Sequence, residues 1–235
     1  MHHVPPPVIR GSLGLRLAGL FFGLFVCAVG IVLILQAGLG LAPWDVLHQG
    51  ISERTPLSFG MANVVVGIVV LAVAWRLGAR IGFGTVANAT VIGAYVQLLL
   101  STGAIPEAGA PAAEQAGYLA AGIAAFAIGS AFYIGANMGA GPRDSLMLVV
   151  ALRLHTRLGV ARGGIELAVL AAGWALGGEV GIGTVAFALL VGPAVELAFF
   201  ALERSPLADP SRLPAGRARL AGQAEDGQLP LAEKC

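Results

Sequence analysis

Charge is scarce in this 235-residue chain: 11% of its residues are charged and 57% hydrophobic, where a soluble domain carries about 25% charged residues. That deficit excludes an ordinary soluble domain and points to a membrane protein. Lysine is nearly missing, one residue against thirteen arginines, a ratio that fits GC-rich bacterial coding. The net charge is +1 with no basic run ahead of the C-terminal tail, so the clustered cationic face that nucleic acid requires is absent. The two cysteines, Cys27 inside an apolar run and Cys235 at the last position, make neither a disulfide framework nor a metal-ligand spacing. His2 and His3 lack the further ligands a metal site needs, and no metal or cofactor is expected. The glycine-rich run GFGTVAN at 82–88 follows no strand and lacks the Gly-x-Gly-x-x-Gly spacing, so it does not read as a nucleotide loop.

What is present in abundance is apolar length. A membrane crossing needs roughly 20 apolar residues, and such runs occur near 13–36, 58–77, 83–101, 117–136, 159–177 and 182–202. The first, flanked by Arg10 and Arg16, is too long for a cleaved signal core and reads as a retained span. Two shorter segments, GLAPWDVLHQGISER at 40–54 and GAGPRDSLMLVVALR at 139–153, are too polar to cross easily. Each opens with Gly-x-x-Pro followed by an aspartate, the signature of a helix start. They are expected to be half-helices that enter the membrane and return.

Sliding the chain by 99 residues aligns 20–98 with 119–197 without a gap, at about a third identity. The matches include Gly40 with Gly139, Pro43 with Pro142, Asp45 with Asp144, Trp75 with Trp174, and Gly84-Thr85-Val86-Ala87 with Gly183-Thr184-Val185-Ala186. The chain is therefore an internal duplication. With the N-terminus inside and the half-helices not crossing, all Lys and Arg except Arg54 fall on the cytoplasmic side, as the positive-inside rule requires. Three spans per copy then place the second copy upside down. The expected fold is an all-α membrane protein with six transmembrane helices, two half-helices and two three-span repeats in inverted topology. Its parts are a cytoplasmic segment 1–12, repeat 1 over 13–101, an external linker 102–116, repeat 2 over 117–202 and a disordered cytoplasmic tail 203–235. The location is the bacterial cytoplasmic membrane, with both termini inside.

Inverted repeats with broken helices place solute or ion sites where half-helix N-termini converge. The candidate transport-path residues are Asp45, His48, Arg143, Asp144, Asn88 and Glu196, since ionisable groups at bilayer depth are costly and tend to have a role or a partner. Alternatively, both aspartates simply cap their half-helices, and Glu196 makes an interhelical hydrogen bond. Gly40, Pro43, Gly139 and Pro142 read as structural helix-start residues, and Thr85 and Thr184 as N-caps of the spans they begin. Arg162 and Glu166, four apart, are expected to pair locally. Asp45, His48 and Ser52 share a helix face, but a hydrolytic triad needs mutual contact that one helix rarely gives, so no enzymatic activity is expected.

The runs GLGLAPWDVLHQGIS, GFGTVAN, GAGPRDSLM and GGEVGIGTV resemble the YczE-like bacterial membrane proteins, related to the wider YitT-type group, over about 20–200. The resemblance implies an integral cytoplasmic-membrane protein and brings no catalytic residues with it. Two functions stay open: a small-solute transporter or permease with its site between the half-helices, or a non-transporting scaffold that supports a partner enzyme or assembly through helix contacts. The partners expected are the lipid bilayer, a small solute, and a second copy or another membrane protein.

Overall fold

The computed structural model describes residues 7–209; the remainder of the tail expected to be disordered, with Cys235, and the N-terminal His2 and His3 lie outside the described residues. Eight helices and no strands build the described chain: α1 (Leu13–Gln36), α2 (Pro43–Arg54), α3 (Phe59–Arg76), α4 (Phe83–Thr102), α5 (Ala112–Gly135), α6 (Pro142–Arg153), α7 (Leu158–Ala175) and α8 (Ile182–Glu203). All but α2 and α6 are long and apolar enough to cross a membrane. Helix α5 starts at Ala112, ahead of the apolar run, because Pro111 at its N-cap and Glu114 in its first turn favour initiation there. The sequence duplication reappears in the bounds: each helix of the second half starts 99 residues after its counterpart in the first.

Helices α1 and α5 form the centre, and glycine makes their contact. Gly23 lies on the backbone of Gly129, and Gly30 on that of Gly122, where an added Cβ would sit 2.7 Å from the facing carbonyl in either case. Because the lower number pairs with the higher, the two helices run antiparallel. In a membrane, helices without a hydrophobic drive toward each other associate through such close approaches. Around this pair, α4 packs on α1 and α8 on α5, while α2 packs on α7 and α6 on α3. Each half-helix thus docks on a span of the other half.

Several polar contacts are reciprocal at the same offset. The carbonyl of Leu39 accepts from Gly183 N at 2.6 Å, and that of Met138, its counterpart, accepts from Gly84 N at 2.8 Å. Gly40 and Gly139 adopt left-handed φ of +97° and +125°, and any side chain there would strike the start of α8 or of α4 respectively. Arg54 Nε donates to Leu176 O at 3.0 Å and Arg153 Nε to Leu77 O at 3.1 Å, so each half-helix ends in a cation that caps the C-terminus of the span it packs on. On the face that holds α5's C-terminal end, Ile9 N donates to Gly135 O and Arg10 N to Leu207 O, while Arg16 donates to Ala136 O and Asn137 O. The segments before α1 and after α8 therefore meet on one face.

The expected N-cap role of Thr85 and Thr184 is corrected. The N-caps are Gly82 and Gly181, and the threonines stand at N3, where their Oγ1 atoms accept from the Gly82 and Gly181 N–H groups at 3.1 and 3.2 Å. They form the returning half of a capping box, since glycine has no side chain to form the other half. The glycines are needed at the caps because the loop of the opposite repeat passes directly over them.

Candidate functional site

Pro43 and Pro142 occupy the first turns of α2 and α6, where the missing N–H costs nothing. Residues 44 and 143 are the next in each helix, and they meet: the Arg143 guanidinium carbon lies 4.9 Å from the Trp44 ring centroid, a cation–π contact. The N-terminal ends of the two half-helices therefore converge. Asp45 and His48 are buried beside them, 3% and 0% exposed.

His48 joins the halves. Its Nδ1 lies 3.1 Å from Asp45 Oδ1, and its Nε2 lies 3.5 Å from Arg143 Nη2. Arginine can only donate and an ionised carboxylate can only accept, so the neutral tautomer with hydrogen on Nδ1 satisfies both neighbours. Asn63 Nδ2 is 3.2 Å from the same Nδ1; turning the amide presents its oxygen to that hydrogen. Phe59 of α3 closes over the imidazole edge-on at 6.0 Å between centroids. On the other side, Tyr133 Oη donates to Asp144 Oδ2 at 3.1 Å, and Asn88 Oδ1 comes near Gly141 at the start of α6. Arg143 is half-buried between the carboxylates of Asp45 and Asp144, and both act on its charge.

Of the expected path residues, Asp45, His48, Arg143, Asp144 and Asn88 are brought together, whereas Glu196 stands exposed on α8 outside the cluster. The capping alternative for the aspartates does not hold. Neither makes a side-chain cap bond; the N-caps are Ala42 and Gly141, and the carboxylates turn to His48 and Tyr133 instead. Ser52 donates to the Gln49 carbonyl and does not reach His48. Arg162 and Glu166 do pair, at 2.9 Å. Among the described residues, no three His, Cys, Asp or Glu side chains gather to hold a metal ion.

Three members of the cluster were not foreseen in this role: Trp44, Asn63 and Tyr133. Tyr133 replaces Ile34 of the first copy, so a phenol appears where the duplicate is apolar, a signal readable from the repeat alignment. Trp44 keeps its indole N–H buried and without a hydrogen bond among the described residues, which is unusual for a buried donor. Two surface depressions, beside Trp75 and Arg76 and between Ile9, Phe22 and Phe132, lie away from the cluster.

Residues 14–199, most of the chain, match a family of unknown function, DUF6198. The chain belongs to that family. A relative from Haemophilus influenzae, named an uncharacterized protein, is 35% identical over 187 residues, covering 80% of this chain and 84% of its own. The uncharacterized membrane protein YczE of Bacillus subtilis is 29% identical over 200 residues, covering 78% and 85%. No solved structure matches. The DUF6198 match spans both half-helices and the whole Asp45–His48–Arg143–Asp144 cluster, and the resemblance seen in the motifs is thereby shown.

Proposed function

We propose that this protein carries a small solute across the bacterial cytoplasmic membrane, with the meeting point of α2 and α6 as its site. The observation that carries this reading is the contact of Arg143 with Trp44 and His48: two half-helix starts converge on a partly buried, ionisable cluster inside a six-span bundle. Placing charges there costs several kcal/mol per ion, by order of magnitude, and structure alone gains little from them. The unpartnered Trp44 N–H and the second lone pair of each carboxylate leave hydrogen-bonding capacity for a ligand.

The halves lie inverted in this reading, related by a two-fold axis in the membrane plane. The antiparallel α1–α5 pair and the reciprocal loop contacts support it, as does the meeting of both terminal segments on one face, which fits N- and C-termini on the cytoplasmic side. Transport would draw on an ion gradient or a partner subunit, since the chain has no nucleotide motif.

The test is water access to the cluster. In a chain with Cys27→Ser and Cys235→Ser, Asp144→Cys should react with a membrane-impermeant thiol reagent applied to inside-out vesicles. Absence of reaction with insertion intact would remove the transport reading. A scaffold role would then lead, and one observation favours it: Gly159, Gly163 and Gly164 of α7 face open space, a surface suited to a partner helix.

A further inference from the structure

The two copies differ at one seam. In the first half α3 and α4 pack closely, with Gly60 on the Gly93 carbonyl and on Gln97, and Gly67 on the Ala89 carbonyl. Their counterparts Gly159 and Gly192 have nothing within 4 Å, and α7 and α8 show no comparable packing. The equivalent aspartates follow the seams. Asp45, in the half whose seam is shut, is buried; Asp144, in the first turn of α6 in the half whose seam is open, is exposed.

Four substitutions between the copies fall on this seam. Ala94 becomes Pro193, so α8 carries a Gly192-Pro193 pair where α4 has Gly93-Ala94, and such a pair is a bending point. Gly67 becomes Glu166, whose side chain blocks closure on the Ala188 side of that bend. Gln97, the neighbour of Gly60, becomes Glu196, and Asn63 becomes Arg162. Closure in the manner of the first half therefore stays open to the segment beyond Pro193 only, and it brings Glu196 against Gly159, one turn from Arg162.

We propose that α8 beyond Gly192-Pro193 is a gate that swings onto α7, pairing Glu196 with Arg162 and covering Asp144, and that the structure holds this gate open. The proposal rests on the transport reading for its purpose, though not for its geometry. In the open state Arg162 is held by Glu166, which keeps the cation occupied until Glu196 arrives. An equilibrium between the two arrangements is then set by which glutamate Arg162 meets.

The experiment uses the full-length protein in native membranes, with Cys27→Ser and Cys235→Ser. Gly159→Cys with Glu196→Cys should form a disulfide under copper phenanthroline, and adding Pro193→Ala should slow it at least about tenfold. Ser130→Cys in a separate protein that keeps Cys27 and carries Cys235→Ser, where the native side-chain atoms are 3.8 Å apart, is the oxidation control. With Asp144→Cys added, oxidation of the 159/196 pair should lower subsequent thiol labelling by about tenfold or more, and Glu196→Gln alone should raise labelling at 144. No 159/196 disulfide while the control oxidises overturns the gate, as does a disulfide that leaves labelling at 144 unchanged in a protein that labels there before oxidation. Absence of labelling at 144 in every variant, with the disulfide still formed, counts against the transport reading and leaves the closure standing.

Discussion

Trp44 and Arg143 hold the same position in the two copies of the repeat, and they touch one another, 4.9 Å from guanidinium carbon to ring centroid. A residue that meets its own counterpart must lie where the two copies exchange. The duplication has diverged there into an aromatic face and a cation, two groups that attract. His48 extends the link, because it takes Asp45 from its own half and Arg143 from the other.

Arg143→Lys keeps the charge but loses the planar group that spans Trp44 and His48. A stability loss of roughly 0.5–2 kcal/mol is expected, the scale of a cation–π contact. Thermal unfolding of the purified protein in mild detergent checks it. Arg143→Gln should cost more by leaving Asp45 without a countercharge, and Asp45→Asn should recover part of that loss, with a coupling of about 1–3 kcal/mol in a double-mutant cycle.

The two aspartates should behave differently despite their equivalence. Asp45→Asn removes the carboxyl acceptor of a fully buried imidazole N–H and should lower thermal stability by roughly 1–3 kcal/mol. Asp144→Asn, exposed and hydrogen-bonded to Tyr133, should stay within about 1 kcal/mol of the parent. Both should insert normally and abolish transport or the cellular phenotype; unchanged activity in both would sink the site.

Glycine substitutions separate the shut interfaces from the open one. Gly30→Ala or Gly129→Ala places a methyl against facing backbone and should cost about 1–3 kcal/mol. Gly163→Ala meets nothing within 4 Å in the middle of α7 and should be neutral or slightly stabilising, by up to about 1 kcal/mol. Equal effects at the two kinds of site would contradict the packing described.

The spans, the half-helices and the duplication were legible because bilayer thickness sets helix length and because Pro-x-Asp marks a helix start wherever it occurs. Arg54, the residue that the charge rule left outside, gained its reason only from the structure, as the cap on α7 that mirrors Arg153 on α3. The capping alternative for Asp45 and Asp144 failed because their partners, His48 and Tyr133, depend on how the side chains turn and, for Tyr133, on a helix of a different element. Glu196 looked like a member of the cluster because depth along a span is readable from sequence, whereas the side of the helix it faces depends on whether α7 and α8 are packed together.

The inverted repeat is the claim on which the rest stands, and side-specific cysteine labelling tests it most directly. In the chain with Cys27→Ser and Cys235→Ser, whole cells treated with an impermeant thiol reagent should label Glu107→Cys and Glu179→Cys but not Thr156→Cys, which should react only in inside-out vesicles. Labelling of Thr156→Cys from outside, or protection of Glu179→Cys, would place the second copy the same way up as the first and contradict the account.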